Sequence, residues 1–278
     1  MVSFVTVPER LHMTAPPIRP SYQRIASGRV QVFDASALPW QATGNPGLKL
    51  KAVRNDDAQG EFLGLVSFAP FVRSAVHQHT GVATSFVIDG GLTDYHGPLT
   101  LHQVGINVRG STHDAVSYQS TVLVSRLEGP VLYPPGEGEP SGVHAGSRQQ
   151  AFVNPNPDVP PDVNVSIDAL PRVATGLAGV TRQMVFDYAG TGTARRLVQL
   201  QWRPTTVLPA ARATDWIELW VRGGELLVNG ERAHANCFVV IEPGATFVLS
   251  APFGASALAW AEGRESWPDG TAGNLFGF

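Results

Sequence analysis

The chain has a single cysteine, Cys237, so no intrachain disulfide can form. That usage suits a reducing compartment, and a cytoplasmic location is the expectation. Charge is also scarce: Asp, Glu, Lys and Arg make up 15% of the residues, little for a helix-rich soluble protein. The formal charge is −3 and no basic face is present, so nucleic-acid binding has no electrostatic support. No apolar run approaches the roughly 20 residues that span a membrane as a helix. Residues Met1 to Pro20 lack the basic start and apolar core of a signal peptide. No segment carries a convincing helical period.

What is present points to strands. Hydrophobic residues are 43% of the 278, enough for a sizeable core, and 29 Gly and 22 Pro supply frequent turns. Leu48-Lys49-Leu50-Lys51 alternates as a half-buried strand should, and Arg29 to Phe33 does the same. Asn229-Gly230 is a two-residue hairpin signal.

The chain also repeats itself. Residues 37–47 and 169–179 share seven of eleven positions, an offset of 132. Phe86 to Gly91 matches Leu219 to Gly224 at an offset of 133. A near-constant offset of domain size is a duplication, not a solenoid. The expected organisation is an arm over 1–27, a first domain over 28–132, a Pro/Gly-rich linker over 133–164, a second domain over 165–262 and a tail over 263–278.

The chemistry-bearing stretch is His77-Gln78-His79-Thr80-Gly81, followed by Gly110-Ser111-Thr112-His113. On a strand, residues two apart share a face, so His77 and His79 project together. His113 follows a turn that can bring an antiparallel strand back beside them. Three imidazoles suit zinc, iron, nickel or copper and leave positions open for water or substrate. Taken singly, the pair reads as two surface histidines; with the β context and Gly-x-x-His, metal binding is favoured. Ala83, Ser85 and Ser117 line the pocket by strand alternation. His96 and Arg109 are candidate catalytic groups, the first for acid–base work and the second for holding a substrate oxyanion. Asp114 should point away from the interior.

These motifs resemble the cupin superfamily. His77 to Gly81 with Phe86 to Gly90 is similar to its first motif, and Gly110 to His113 to its second. The stretch with Leu38-Pro39-Trp40 and the strands to Pro70 resembles the cupin domain of ChrR-type anti-sigma factors. It also resembles the acetylacetone-cleaving and 2,4′-dihydroxyacetophenone dioxygenases. With the repeat, the resemblance implies an all-β bicupin of two double-stranded β-helix (jelly-roll) barrels.

Most cupins carry a glutamate ligand four or five residues after the second histidine; here those positions are Ala83 and Thr84. The three-histidine dioxygenases fit better than ChrR-type zinc sites, which keep the glutamate. The implied activity is Fe(II)-dependent C–C cleavage of a small dicarbonyl or hydroxy-ketone bound as its enolate. The alternative is a non-catalytic, ChrR-like zinc-binding sensor or ligand-binding cupin. No helical, Cys/His-bearing segment precedes residue 28, which counts against an anti-sigma role. The expected partner is a small-molecule substrate, with no nucleic acid and no membrane; a homodimer is expected from the resemblance. In the second copy the metal set is lost: His77 matches Ala210 or Ala211, His79 matches Arg212 or Ala213, and His113 matches Thr246 or Phe247. That barrel is expected to act as scaffold, with Trp202, Trp216, Trp220 and Trp260 in core or interface roles.

Overall fold

A computed structural model describes residues 18–94, 97–133, 163–268 and 271–278. Most of the expected arm and linker lies outside these residues, as do His12, His96 and His144. The described helices are two short 3-10 turns, Ile167–Ala169 and Tyr188–Thr191. Among the described residues, no helix is long and apolar enough to cross a membrane. Everything else of regular form is strand, folded as two jelly-roll barrels.

The main sheet of the first barrel runs, edge to edge, through Val163–Ser166, Gln103–Asn107, Ala83–Asp89, Thr121–Glu128, Glu61–Phe68, Leu48–Asp56 and Gln41–Ala42. Facing it is a small sheet of Thr112–His113, His77–His79 and Val131–Leu132. Alternation in Leu48-Lys49-Leu50 turns both leucines towards the interior and leaves Lys49 exposed. A register shift between Ala52 and Arg54 breaks that alternation, and Arg54 is buried against the second barrel.

The second barrel repeats the plan. Its small sheet is Thr246–Phe247, Ala211–Ala213 and Glu265–Ser266. The pair His77↔His113 of the first barrel corresponds to Ala211↔Phe247 in the second.

The two barrels exchange strands. Val30–Asp34 lies in the first copy by sequence, yet it pairs antiparallel with Cys237–Ile241 of the second. Val163–Ser166, one repeat later, pairs with Gln103–Asn107 of the first. Each copy's leading strand therefore completes the other copy's sheet.

Between the barrels lies a shared core. Val53, Leu63, Phe86 and Ile106 pack with Leu197, Trp216, Trp220, Phe238, Leu258 and Trp260. The Trp260 indole donates to Thr84 Oγ1 at 2.9 Å. At one border of this core sits a balanced charge cluster. Glu218 accepts from Arg54 and Arg126, Arg126 also pairs with Glu128 and Glu262, and Arg195 bridges Glu128 and Glu262. Burial pushes the Glu218 carboxyl up, but Arg54 and Arg126 outweigh it and hold it well below the carboxylate range. Tyr22 also donates to Glu218, at 2.9 Å, so the described part of the arm packs on its own barrels.

The tail closes the second barrel. Leu275 and Phe276 are fully buried in its core, and Leu275 N donates to Glu265 Oε1 at 2.5 Å. Gly176 is needed beneath this tail: a Cβ there would meet the Ala272 carbonyl at 2.1 Å.

Candidate metal centre

Each histidine is placed by backbone pairing. His77 lies opposite His113 in an antiparallel pair, with Gln78 opposite Thr112. The turn that returns the chain is held by Gly110, whose φ of 93° favours glycine. Gly110 N donates to His79 O at 2.7 Å and His79 N to Ser111 O at 2.9 Å. The Gln78 amide donates to Gly110 O at 2.9 Å, from the opposite face.

The three rings then meet at their Nε2 atoms. His113 Nε2 is 3.1 Å from His77 Nε2 and 3.1 Å from His79 Nε2. His77 Nδ1 donates to Ala75 O at 2.7 Å. His113 Nδ1 donates to Asp94 Oδ2 at 3.2 Å. Those bonds commit the protons to Nδ1, so the Nε2 lone pairs of His77 and His113 face each other with no donor between them. Burial, then the nearby His113, lowers the His77 pKa to about 3, against the Ala75 hydrogen bond. Burial, then His77 and His113, holds His79 well below the usual histidine range. Neutral imidazoles are the form that binds metal. Two ligands each about 2.1 Å from one ion lie about 3.0–3.4 Å apart for right-angle to tetrahedral bonds. The observed spacing falls in that interval, so the residues present fit a transition metal.

The histidines form part of the wall of a cavity of about 530 Å³. Its other walls include Leu48, Leu50, Val66, Phe68, Leu123 and Leu127, with Asn107, Ser85, Ser125, Ser74 and Tyr133 among the polar points. Ser85 Oγ lies 2.8 Å from Ser125 Oγ. Among the described lining residues there is no Asp, Glu, Lys or Arg.

The other expected residues divide. Ala83 and Ser85 line the cavity. Ser117 does not: it is fully buried, and its hydroxyl donates to Gln119 O and lies 3.1 Å from Thr121 Oγ1. The strand alternation used to place it does not apply, because His113 ends its strand and residues 114–120 form no named strand. Arg109 is exposed and is not a lining residue, because the turn at Val108–Ser111 carries it outside. His96 lies outside the described residues. Asp114 is turned from the cavity and pairs with Arg73. Sequence reasoning missed Asp94, the partner of His113. It stands at the end of the strand Gly91–Asp94, and no local motif marks it. In the second barrel Ala211, Ala213 and Phe247 take the histidine positions, and all three belong to its apolar core.

Residues 29–132 match the model of the ChrR Cupin-like domain. Comparison with curated proteins returns no sequence match. Among solved structures, a candidate dioxygenase from Nostoc punctiforme is similar at a TM-score of 0.64 and 13% identity, covering 84% of this chain and 82% of that one. A candidate glyoxylate-induced protein from Pseudomonas aeruginosa is similar at 0.61 and 12%, covering 91% and 96%. Oxalate decarboxylase from Bacillus subtilis is similar at 0.57 and 11%, covering 83% and 75%. At such identities the likeness is one of fold. The first barrel thus matches the ChrR Cupin-like domain, and the chain as a whole has the bicupin fold.

Proposed function

We propose that His77, His79 and His113 hold one divalent transition metal, Fe(II) in preference to zinc, and that the first barrel is a dioxygenase acting on a small dicarbonyl or hydroxy-ketone. The observation that carries this reading is the convergence of three Nε2 atoms, His113's at 3.1 Å from each of the other two, with the His77 and His113 protons committed to Nδ1. When bound, the metal supplies Lewis acidity to a chelating oxygen pair and a site for dioxygen.

The chain's own residues narrow the substrate. Ala83 puts a methyl on the wall where most cupins have a carboxylate ligand. With neutral ligands, the ion keeps its full charge and attracts an anion. Among the described lining residues there is no cation to hold a second, remote carboxylate. An enolate with an apolar body suits this wall, with the leucines taking the body and excluding water. A dianion such as oxalate does not suit it. Ser85, Ser125 and Asn107 supply hydrogen bonds at the polar side. The match to the ChrR Cupin-like domain supports a second reading, a zinc-binding ligand sensor without catalysis.

The test is elemental analysis of untagged protein purified without chelators, beside a His77→Ala, His79→Ala variant, followed by oxygen uptake with β-diketones. Iron near one per chain, lost in the variant, together with substrate-dependent uptake, supports the oxygenase. Zinc at the same stoichiometry, with β-diketone binding but no uptake after iron reconstitution, favours the sensor. Equal metal content in both proteins rejects the site.

A further inference from the structure

A second set of metal-ligating groups stands where the exchanged strand ends. Asp34 is the last residue of Val30–Asp34, and its backbone partner is Cys237, the first residue of Cys237–Ile241. Residues opposed in an antiparallel pair put their side chains on one face, so the carboxylate and the thiol project together. His234 closes the preceding strand, Glu231–His234, and the turn through Asn236 at φ 72° folds it back over the pair. His234 Nδ1 donates to Ala235 O at 2.8 Å, which leaves Nε2 facing Asp34 Oδ2 at 3.6 Å. One ligand atom from each of Asp34, His234 and Cys237 lies within 4.8 Å of the other two.

We propose that Asp34, His234 and Cys237 form a second cation site, selective for zinc-like divalent ions, that clasps the exchanged strand to the second barrel. The donors are one oxygen, one imidazole nitrogen and one sulfur, a set that suits zinc and is too soft for magnesium or calcium. The arrangement is open on one side only. Cys237 is buried, whereas Asp34 and His234 keep side-chain exposures of 36% and 52%, so an ion enters over them and water completes its shell. Charge also fits. Burial raises the thiol pKa and the carboxylates of Asp34 and Glu231 add to this, against a backbone hydrogen bond at His234. A divalent cation reverses that balance and takes the thiol as thiolate, releasing one proton. Asp34 also accepts from Ser36 N at 2.8 Å, which fixes the carboxylate before an ion arrives.

The site differs from the three-histidine centre in one decisive respect: it contains sulfur. Cobalt(II) bound by a thiolate gives a near-ultraviolet sulfur-to-metal charge-transfer band, and cobalt on imidazoles alone does not. The experiment is a cobalt titration of the whole 278-residue chain, followed in that band. The expected result is a band that saturates with one sulfur-bound ion per chain, over and above any cobalt taken by the three histidines, disappears in Cys237→Ser, and is displaced by zinc. His234→Ala, a surface change that leaves the core intact, should weaken the midpoint at least tenfold. Loss of the band in Cys237→Ser is read only where the variant keeps the wild-type far-ultraviolet circular dichroism. No band at saturating cobalt would overturn the proposal. So would a band whose midpoint is unchanged in His234→Ala and Asp34→Asn, since the thiol would then be binding alone.

Discussion

Arg54 of the first barrel grips Glu218 of the second, Nε to Oε1 at 2.9 Å and Nη2 to Oε2 at 3.1 Å. Both side chains are almost wholly buried. Arg126 approaches the same carboxylate at 2.7 Å from Thr121–Glu128, two strands away in the same sheet. Glu218→Ala leaves two guanidiniums facing each other without their shared anion. The expected loss is about 3–5 kcal/mol, read as a lower urea midpoint. An unchanged midpoint would mean that the cluster does not hold the barrels together.

Ala83 tests the charge argument at the metal. Ala83→Glu points a carboxylate into the cavity, where a longer side chain has room. Metal affinity should rise, and affinity for a β-diketonate should fall, each by about tenfold or about 1.4 kcal/mol. Chelator competition reads the first and calorimetry the second. If diketonate binding survives, the substrate does not depend on the ion's uncompensated charge.

Asp94 tests the shell around the ligands. Its carboxylate fixes the His113 ring through Nδ1. Asp94→Asn keeps the shape and removes the charge, and metal affinity should fall by roughly 10–100-fold. Equal affinities in the two proteins would give Asp94 no part in metal binding.

Acid should weaken the metal-free protein through His77. Its folded pKa is lowered to about 3, below the ordinary histidine value of 6.5. Between those values the unfolded chain holds a proton that the folded chain lacks, so stability falls as pH falls. The window runs from about pH 6.5 down to about 3, at about 1.4 kcal/mol per pH unit for such a group. His79, shifted in the same direction, steepens the slope. Unfolding midpoints of chelator-treated wild type and His77→Gln across this range check it; the variant should show the shallower slope.

How far the sequence carried these conclusions depends on range. The three histidines were legible because their placement is local: a two-residue period and one Gly turn fix it. The duplication was legible for the same reason, as a repeated string. The structure settles the one-residue gap as Ala211, Ala213 and Phe247. Val30–Asp34 reads as a strand from its alternation, but no alternation names the strand beside it. The charge cluster was invisible, since its members run from residue 54 to residue 262 and only the fold collects them. Asp94 was hidden likewise, standing nineteen positions before His113. Ser117 was misplaced because the period-two rule was carried past the end of a strand.

The strand exchange sets an order of events during synthesis. Gln103–Asn107 cannot receive its neighbour until residues 163–166 have left the ribosome. Val30–Asp34, among the first strands made, must wait for residues 237–241. Until then the first half carries an open sheet edge and an unpaired leading strand, surfaces that invite wrong partners. Neither barrel can finish early, and two halves expressed as separate chains would each lack a strand that only the other possesses.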